Sequence, residues 1–126
     1  MQKILIVDDQ PEVRELLEVT LNVYDYRLLF AENSSEAIEL ARSENPDIIL
    51  LDIMMPNSEF DGLEVCRRLK QDPATASIMV IMVTARGQQS DVEAGKAVGA
   101  DDYFFKPFSP ISLINKIEDL IERKYN

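Results

Sequence analysis

Five times along this chain a short apolar run gives way to a segment of helical periodicity, and few folds accept that alternation. The runs are Ile4-Leu5-Ile6-Val7, Arg27-Leu28-Leu29-Phe30, Ile48-Ile49-Leu50-Leu51, Val80-Ile81-Met82-Val83 and Asp101-Asp102-Tyr103-Phe104-Phe105. Strand followed by helix, repeated, predicts βα units feeding a mostly parallel sheet. Helices are expected over about 12–23, 34–44, 62–71, 88–98 and 110–124. In the first, Val13, Leu16, Leu17, Thr20, Leu21 and Tyr24 have the spacing of one buried face, and Leu113, Ile117, Leu120 and Ile121 repeat it in the last. Boundary residues agree. Pro11 suits a first helical position, Asn33 with Glu36 resembles a capping box, and Ser109-Pro110 is an N-cap followed by proline. Asn45-Pro46 and Asp72-Pro73 end the second and third helices.

The runs ending at Val7, Leu51 and Val83 are nearly all apolar, as strands covered on both faces must be. The second and fifth runs mix in polar residues and read as edges. Three centres, two edges and right-handed crossovers give an α/β fold: a (βα)5 doubly wound, five-stranded parallel sheet in the flavodoxin-like order 2-1-3-4-5. At 126 residues the expectation is one domain, 1–126. In this strand order the crevice opens between strands 1 and 3.

Composition narrows the function classes. Thirteen basic against 23 acidic residues leave a net charge of −10, a field that repels phosphate backbones and anionic lipid, so no direct nucleic-acid binding by this domain is expected. No apolar run approaches the roughly 20 residues of a membrane span, and the basic-then-apolar pattern of a signal peptide is absent at Met1. A cytoplasmic protein without membrane contact is the expectation. With no histidine and one cysteine, a zinc site of the usual kind is excluded. Cys66 falls among Leu63, Val65 and Leu69 and reads as a small core hydrophobe.

The crevice collects chemistry. Asp8 and Asp9 follow the first apolar run and Asp52 the third, while Thr84 and Lys106 end the fourth and fifth. By itself Asp8-Asp9 reads equally well as a solvated acidic loop at the head of a helix. Four strand ends bearing an acid pair, an acid, a hydroxyl and a lysine are harder to explain as a stability device. Three neighbouring carboxylates raise one another's pKa values or share a cation, and hard oxygen ligands suit Mg²⁺. Successive strand residues point to opposite faces, so the turn toward Pro11 must reorient Asp9, leaving Asp8 to act through water.

The chain resembles a response-regulator receiver domain of two-component signalling from Lys3 to about Lys124. The elements that carry the resemblance are Val7-Asp8-Asp9, Leu51-Asp52-Ile53-Met54-Met55-Pro56, Asp61-Gly62, Val83-Thr84-Ala85, Gly99-Ala100-Asp101-Asp102-Tyr103 and Lys106-Pro107-Phe108. The resemblance implies that Asp52 accepts a phosphoryl group from the phosphohistidine of a sensor histidine kinase or phosphotransfer protein. It implies Mg²⁺ on Asp9, Asp52 and the Met54 backbone carbonyl, with Asp8 through water. Lys106 would supply positive charge, Thr84 a hydroxyl to the new phosphate, and Tyr103 the switch aromatic, although an amphipathic edge residue would also explain a tyrosine there. Met54 and Arg86 would flank the phosphoryl group, and neither positions water well. One departure is visible. Asn57-Ser58-Glu59-Phe60 makes the loop before Asp61-Gly62 about two residues longer than the common family form.

The expected outcome is a switch that catalyses its own phosphorylation and dephosphorylation and alters binding of an effector domain, a target protein or a second copy through the face of helix 4, strand 5 and helix 5. Asp101, Asp102, Lys96 and Arg123 put both charge signs there. A phosphorylation-independent binding module of the same fold is the main rival. A dehalogenase-like phosphohydrolase is disfavoured because Asp52 is followed by Ile53-Met54 rather than x-Asp, and a flavin carrier because Asp8-Asp9 occupies the first loop.

Overall fold

The computed structural model describes residues 2–56, 58–85, 89–106 and 109–125. Five strands, β1 (Gln2–Val7), β2 (Tyr26–Ala31), β3 (Ile48–Asp52), β4 (Met79–Ala85) and β5 (Asp102–Lys106), alternate with α1 (Pro11–Leu21), α2 (Ser34–Glu44), α3 (Gly62–Gln71), α4 (Gln89–Ala97) and α5 (Pro110–Tyr125). All four pairings are parallel, in the order β2-β1-β3-β4-β5. The expected order and the expected centres and edges are those observed.

Alternation along the central strands divides the core into two layers. Leu5, Val7, Ile49, Leu51, Val80 and Met82 face one side, where Ala37 and Ala41 of α2 and Val65, Cys66 and Leu69 of α3 cover them. Ile4, Ile6, Ile48, Leu50, Ile81 and Val83 face the other, under Leu17 and Leu21 of α1 and Leu113, Ile117 and Leu120 of α5. Both faces are covered, so these strands carry no polar alternation. Cys66 is buried in the first layer, and burial pushes its thiol up to about 11, which fits the reading as a small hydrophobe.

The helix ends follow local chemistry. Pro11 begins α1, and the Asn33 side chain accepts the Glu36 amide at 2.9 Å. The Glu36 carboxylate reaches back to the Glu32 amide and the Asn33 side-chain amide, so the box closes one residue earlier than its usual form. Asn45 ends α2 in the left-handed region at φ 46°, which asparagine tolerates. One expectation was too generous. The buried stripe of α1 is Leu17 and Leu21 with Val13 partly covered, while Leu16 and Tyr24 are exposed. The helix stops at Leu21, so Tyr24 lies beyond it and stacks on Tyr26 instead, and Leu16 sits on the flank of a stripe that faces only the sheet and α5.

Candidate functional site

Parallel strands in this register bring their carboxyl ends to one edge. Val7 lies beside Leu51, Asp52 beside Val83 and Thr84 beside Phe105, so the residues that follow converge there. Asp8, Asp9 and Asp52 meet at this edge, each offering a carboxylate oxygen within 4.8 Å of the others. A cavity of about 270 Å³ opens over them, lined by Asp9, Gln10, Asp52, Met54, Pro56, Thr84 and Lys106.

Each acid is held differently. Asp8 is buried, accepts the Gln10 amide at 2.9 Å in a turn of its own making and receives the Lys106 ammonium at 2.9 Å. Its backbone carbonyl accepts the Arg14 guanidinium at 2.6 Å, which fixes the start of the turn into α1. That turn leaves Asp9 half-buried on the cavity wall. Asp52 is 6% exposed, accepts the Met54 amide at 3.3 Å and stands 3.5 Å from the Lys106 ammonium.

The electrostatics follow from that arrangement. Burial, then the neighbouring Asp8 charge, raise the Asp52 carboxyl to about 6, against the opposing pull of Lys106 and the Met54 amide. For Lys106 burial works against the ammonium, but the hydrogen bond to Asp8 and the charges of Asp52 and Asp8 outweigh it, and its pKa is raised. The lysine is therefore a fixed positive charge shared unequally between two acids. Near neutral pH the Asp52 carboxylate is ionised in a site that penalises its charge, and hard oxygens so placed suit a hard divalent cation.

Thr84 is buried at the end of β4 and lines the cavity. Tyr103 lies one strand over, its ring packed against the first core layer and against Gly95 of α4, where an added Cβ would stand 2.8 Å from the ring. Its hydroxyl is buried without a hydrogen-bond partner among the described residues. Met54 is 68% exposed and flanks the cavity, whereas Arg86, Pro107 and Phe108 lie outside the described residues, as does Asn57 of the lengthened loop. Phe60 does pack against the core just before Asp61-Gly62.

Two contributors carried no sequence signal of their own. Arg14 is one arginine on a helix surface, and only the fold shows that it reaches the Asp8 carbonyl. Gln10 lines the cavity only because the turn after Asp9 puts it there. Gly62 sits so close beneath the end of β3 that any Cβ would overlap the Asp52 carbonyl, with Ile53 Cα at 2.9 Å. Of the charges expected to form a polar surface, Asp101 pairs with Lys70 at 2.8 Å and accepts the Val80 amide, and Asp102 pairs with Lys116 and Arg123. No helix among the described residues is long and apolar enough to cross a membrane.

Comparison with known proteins agrees with this geometry. The family model of the response regulator receiver domain matches residues 4–118. The chain is 43% identical over 120 residues to the phosphate regulon transcriptional regulatory protein PhoB of Pseudomonas aeruginosa, a match covering 95% of this chain and 52% of that protein. It is 42% identical over 121 residues to the transcriptional regulatory protein ResD of Bacillus subtilis, covering 96% and 48%. This chain thus spans about half the length of these relatives. A putative response regulator from Chloroflexus aurantiacus superposes with a TM-score of 0.90 at 34% identity, covering 96% of this chain and 98% of that one. The chemotaxis protein CheY4 of Vibrio cholerae does so at 0.87 and 28%, covering 95% and 98%.

Proposed function

Since this chain belongs to the response regulator receiver domain family of two-component systems, we propose that residues 1–126 form one phosphoacceptor domain with Asp52 as the acceptor. The observation that carries the reading is the meeting of Asp8, Asp9 and Asp52 within 4.8 Å, with the Lys106 ammonium 2.9 Å from one acid and 3.5 Å from another. The strand register brings these positions together, but strand packing does not call for three acids and a lysine at them.

In the proposed reaction an ionised Asp52 oxygen attacks the phosphorus of a phosphohistidine. The new O–P bond forms as the N–P bond breaks, and the imidazole leaves with the bonding pair. Such in-line transfer asks mainly for positioning and for positive charge around the transferred oxygens. Lys106 supplies charge from the end of β5, and the buried Thr84 hydroxyl lies on the same cavity wall to donate to the new phosphate. Asp9, Asp52 and the Met54 backbone carbonyl would hold Mg²⁺, with Asp8 reaching it through water, and the ion when bound neutralises the carboxylates and phosphoryl oxygens. With its carboxyl at about 6, Asp52 is mostly ionised, hence nucleophilic, at pH 7.5. Met54 offers no group to orient water, so the phosphorylated form should be long-lived.

The partners that follow are a sensor histidine kinase or phosphotransfer protein upstream and an effector domain, target protein or second copy downstream, met through the face of α4, β5 and α5 with Tyr103 as the switch. Contact is by protein rather than nucleic acid or membrane, and the setting is cytoplasmic. PhoB and ResD are transcriptional regulators, and an output of that kind is proposed for the whole protein to which this domain contributes. Intact mass after incubation with acetyl phosphate and Mg²⁺ tests the reading. One phosphoryl group on the wild-type chain and none on Asp52→Asn is expected, and equal labelling of both would overturn it.

A further inference from the structure

We propose that Ser34, at the head of α2, is a positioning residue for the loop that follows the acceptor strand, acting through Ser58 and Phe60 of the lengthened segment. The inference rests on the Mg²⁺ site proposed above. An added stretch of loop ordinarily runs out over the surface. Here Ser58 and Phe60 are partly buried, with Glu59 exposed between them. Phe60 packs against the core layer under α3, and the Arg68 guanidinium lies 3.9 Å above its ring, held there by Glu64 at 2.8 Å.

Ser34 is fully buried and bonds to the segment twice. Its hydroxyl accepts the Phe60 amide at 3.3 Å, and its own amide donates to the Ser58 hydroxyl at 3.2 Å. Ser34 is itself a fixed point, because Asn33 caps α2 and Ala37 is buried one turn on. The segment transmits that anchorage to the acceptor loop. The Ser58 amide donates to the Met55 carbonyl at 3.0 Å, and the Gly62 amide to the Ile53 carbonyl at 2.9 Å. Met54 lies between these two clamped carbonyls. A side chain on the second helix thereby sets the peptide that would present its carbonyl to the cation, although neither Ser34 nor Ser58 lines the cavity.

Ser34→Ala and Ser58→Ala each break one link of the brace, and calorimetric titration with Mg²⁺ reads the consequence in folded protein. Each single substitution should weaken Mg²⁺ binding about fivefold, the equivalent of one neutral hydrogen bond. The double substitution should add little, because both act on one unit. Thr75→Ala removes another fully buried hydroxyl, bonded to the Leu69 carbonyl at 2.7 Å beyond the far end of α3. It should lower Tm and leave Mg²⁺ affinity unchanged. Wild-type affinity in Ser34→Ala, or an equal loss in Thr75→Ala, would overturn the proposal. If the wild-type protein binds no Mg²⁺, the site reading itself fails. Amide hydrogen exchange at residues 53–55 without metal then decides the brace: faster exchange in Ser34→Ala supports it, and unchanged exchange refutes it.

Discussion

The two ends of the sheet use the same residue types to opposite effect. At the amino ends of the strands Asp47 and Asp101 are each answered. Asp47 accepts the Lys3 amide at 2.8 Å and the Tyr125 hydroxyl, and its carbonyl receives Lys124. Asp101 accepts both the Lys70 ammonium and the Val80 amide at 2.8 Å, while Lys70 also donates to the Ala76 and Ile78 carbonyls. At the carboxyl ends three acids meet and, among the described residues, two of them share one lysine, with Asp52 held at about 6. Among the described residues, one end is satisfied and the other is short of positive charge. The difference teaches where stability has been given up, and the deficit sits where a cation and a phosphoryl group would be received.

The largest effect is expected where the two demands meet, at Gly62. A methyl group there must displace the backbone of Asp52 and Ile53, which cannot yield as a flexible side chain could. Gly62→Ala should cost about 3 kcal/mol in denaturant unfolding and reduce phosphoryl labelling as well. A variant as stable as the wild type would show that the acceptor strand tolerates movement.

Asp52→Asn should do the reverse and stabilise the protein. Above pH 7 the carboxyl is ionised folded and unfolded, and the folded state bears the full penalty of its raised pKa. As pH falls through about 6 the folded carboxyl protonates while the unfolded one stays ionised to about 3.8, so the penalty fades. Without metal the variant should gain on the order of 2 kcal/mol at pH 7.5 and almost nothing near pH 4. A gain that does not shrink with pH would remove the electrostatic explanation.

At the answered end, Lys70→Met should lose about 2 kcal/mol, since it strips an ion pair and two carbonyl bonds from a largely buried ammonium. Labelling at Asp52 should stay at the wild-type level. A parallel loss of labelling would mean that the two ends are not separable. The smallest effect belongs to Tyr103→Phe. Removing a buried hydroxyl with no partner among the described residues should leave Tm unchanged or raise it by the equivalent of up to about 1 kcal/mol. A clear drop in Tm would mean that the hydroxyl is bonded in solution.

Much of this contrast could be read before the fold was known, and for physical reasons. Strands buried on two faces have to be apolar, so Ile4–Val7, Ile48–Leu51 and Val80–Val83 announced themselves as central. A parallel sheet then leaves no choice about where Asp8, Asp52, Thr84 and Lys106 gather. What stayed illegible depends on contacts between distant elements. The pairing of Lys106 with Asp8 at closer range than with Asp52 spans 98 residues, and the link from Ser34 to the acceptor loop spans 24 and 26. Leu16 shows the same limit in small. Periodicity places it near the buried stripe, but the width of that stripe is set by what packs on α1.

The central claim is that Asp52 is kept short of compensating charge until a cation and a phosphoryl group arrive. Following the side-chain carboxyl carbon of Asp52 by NMR across a pH titration, with and without Mg²⁺, tests it most directly. The account predicts a midpoint near 6 in metal-free buffer that moves down when Mg²⁺ is added. A midpoint at the ordinary 3.8, or one that Mg²⁺ leaves in place, would contradict it.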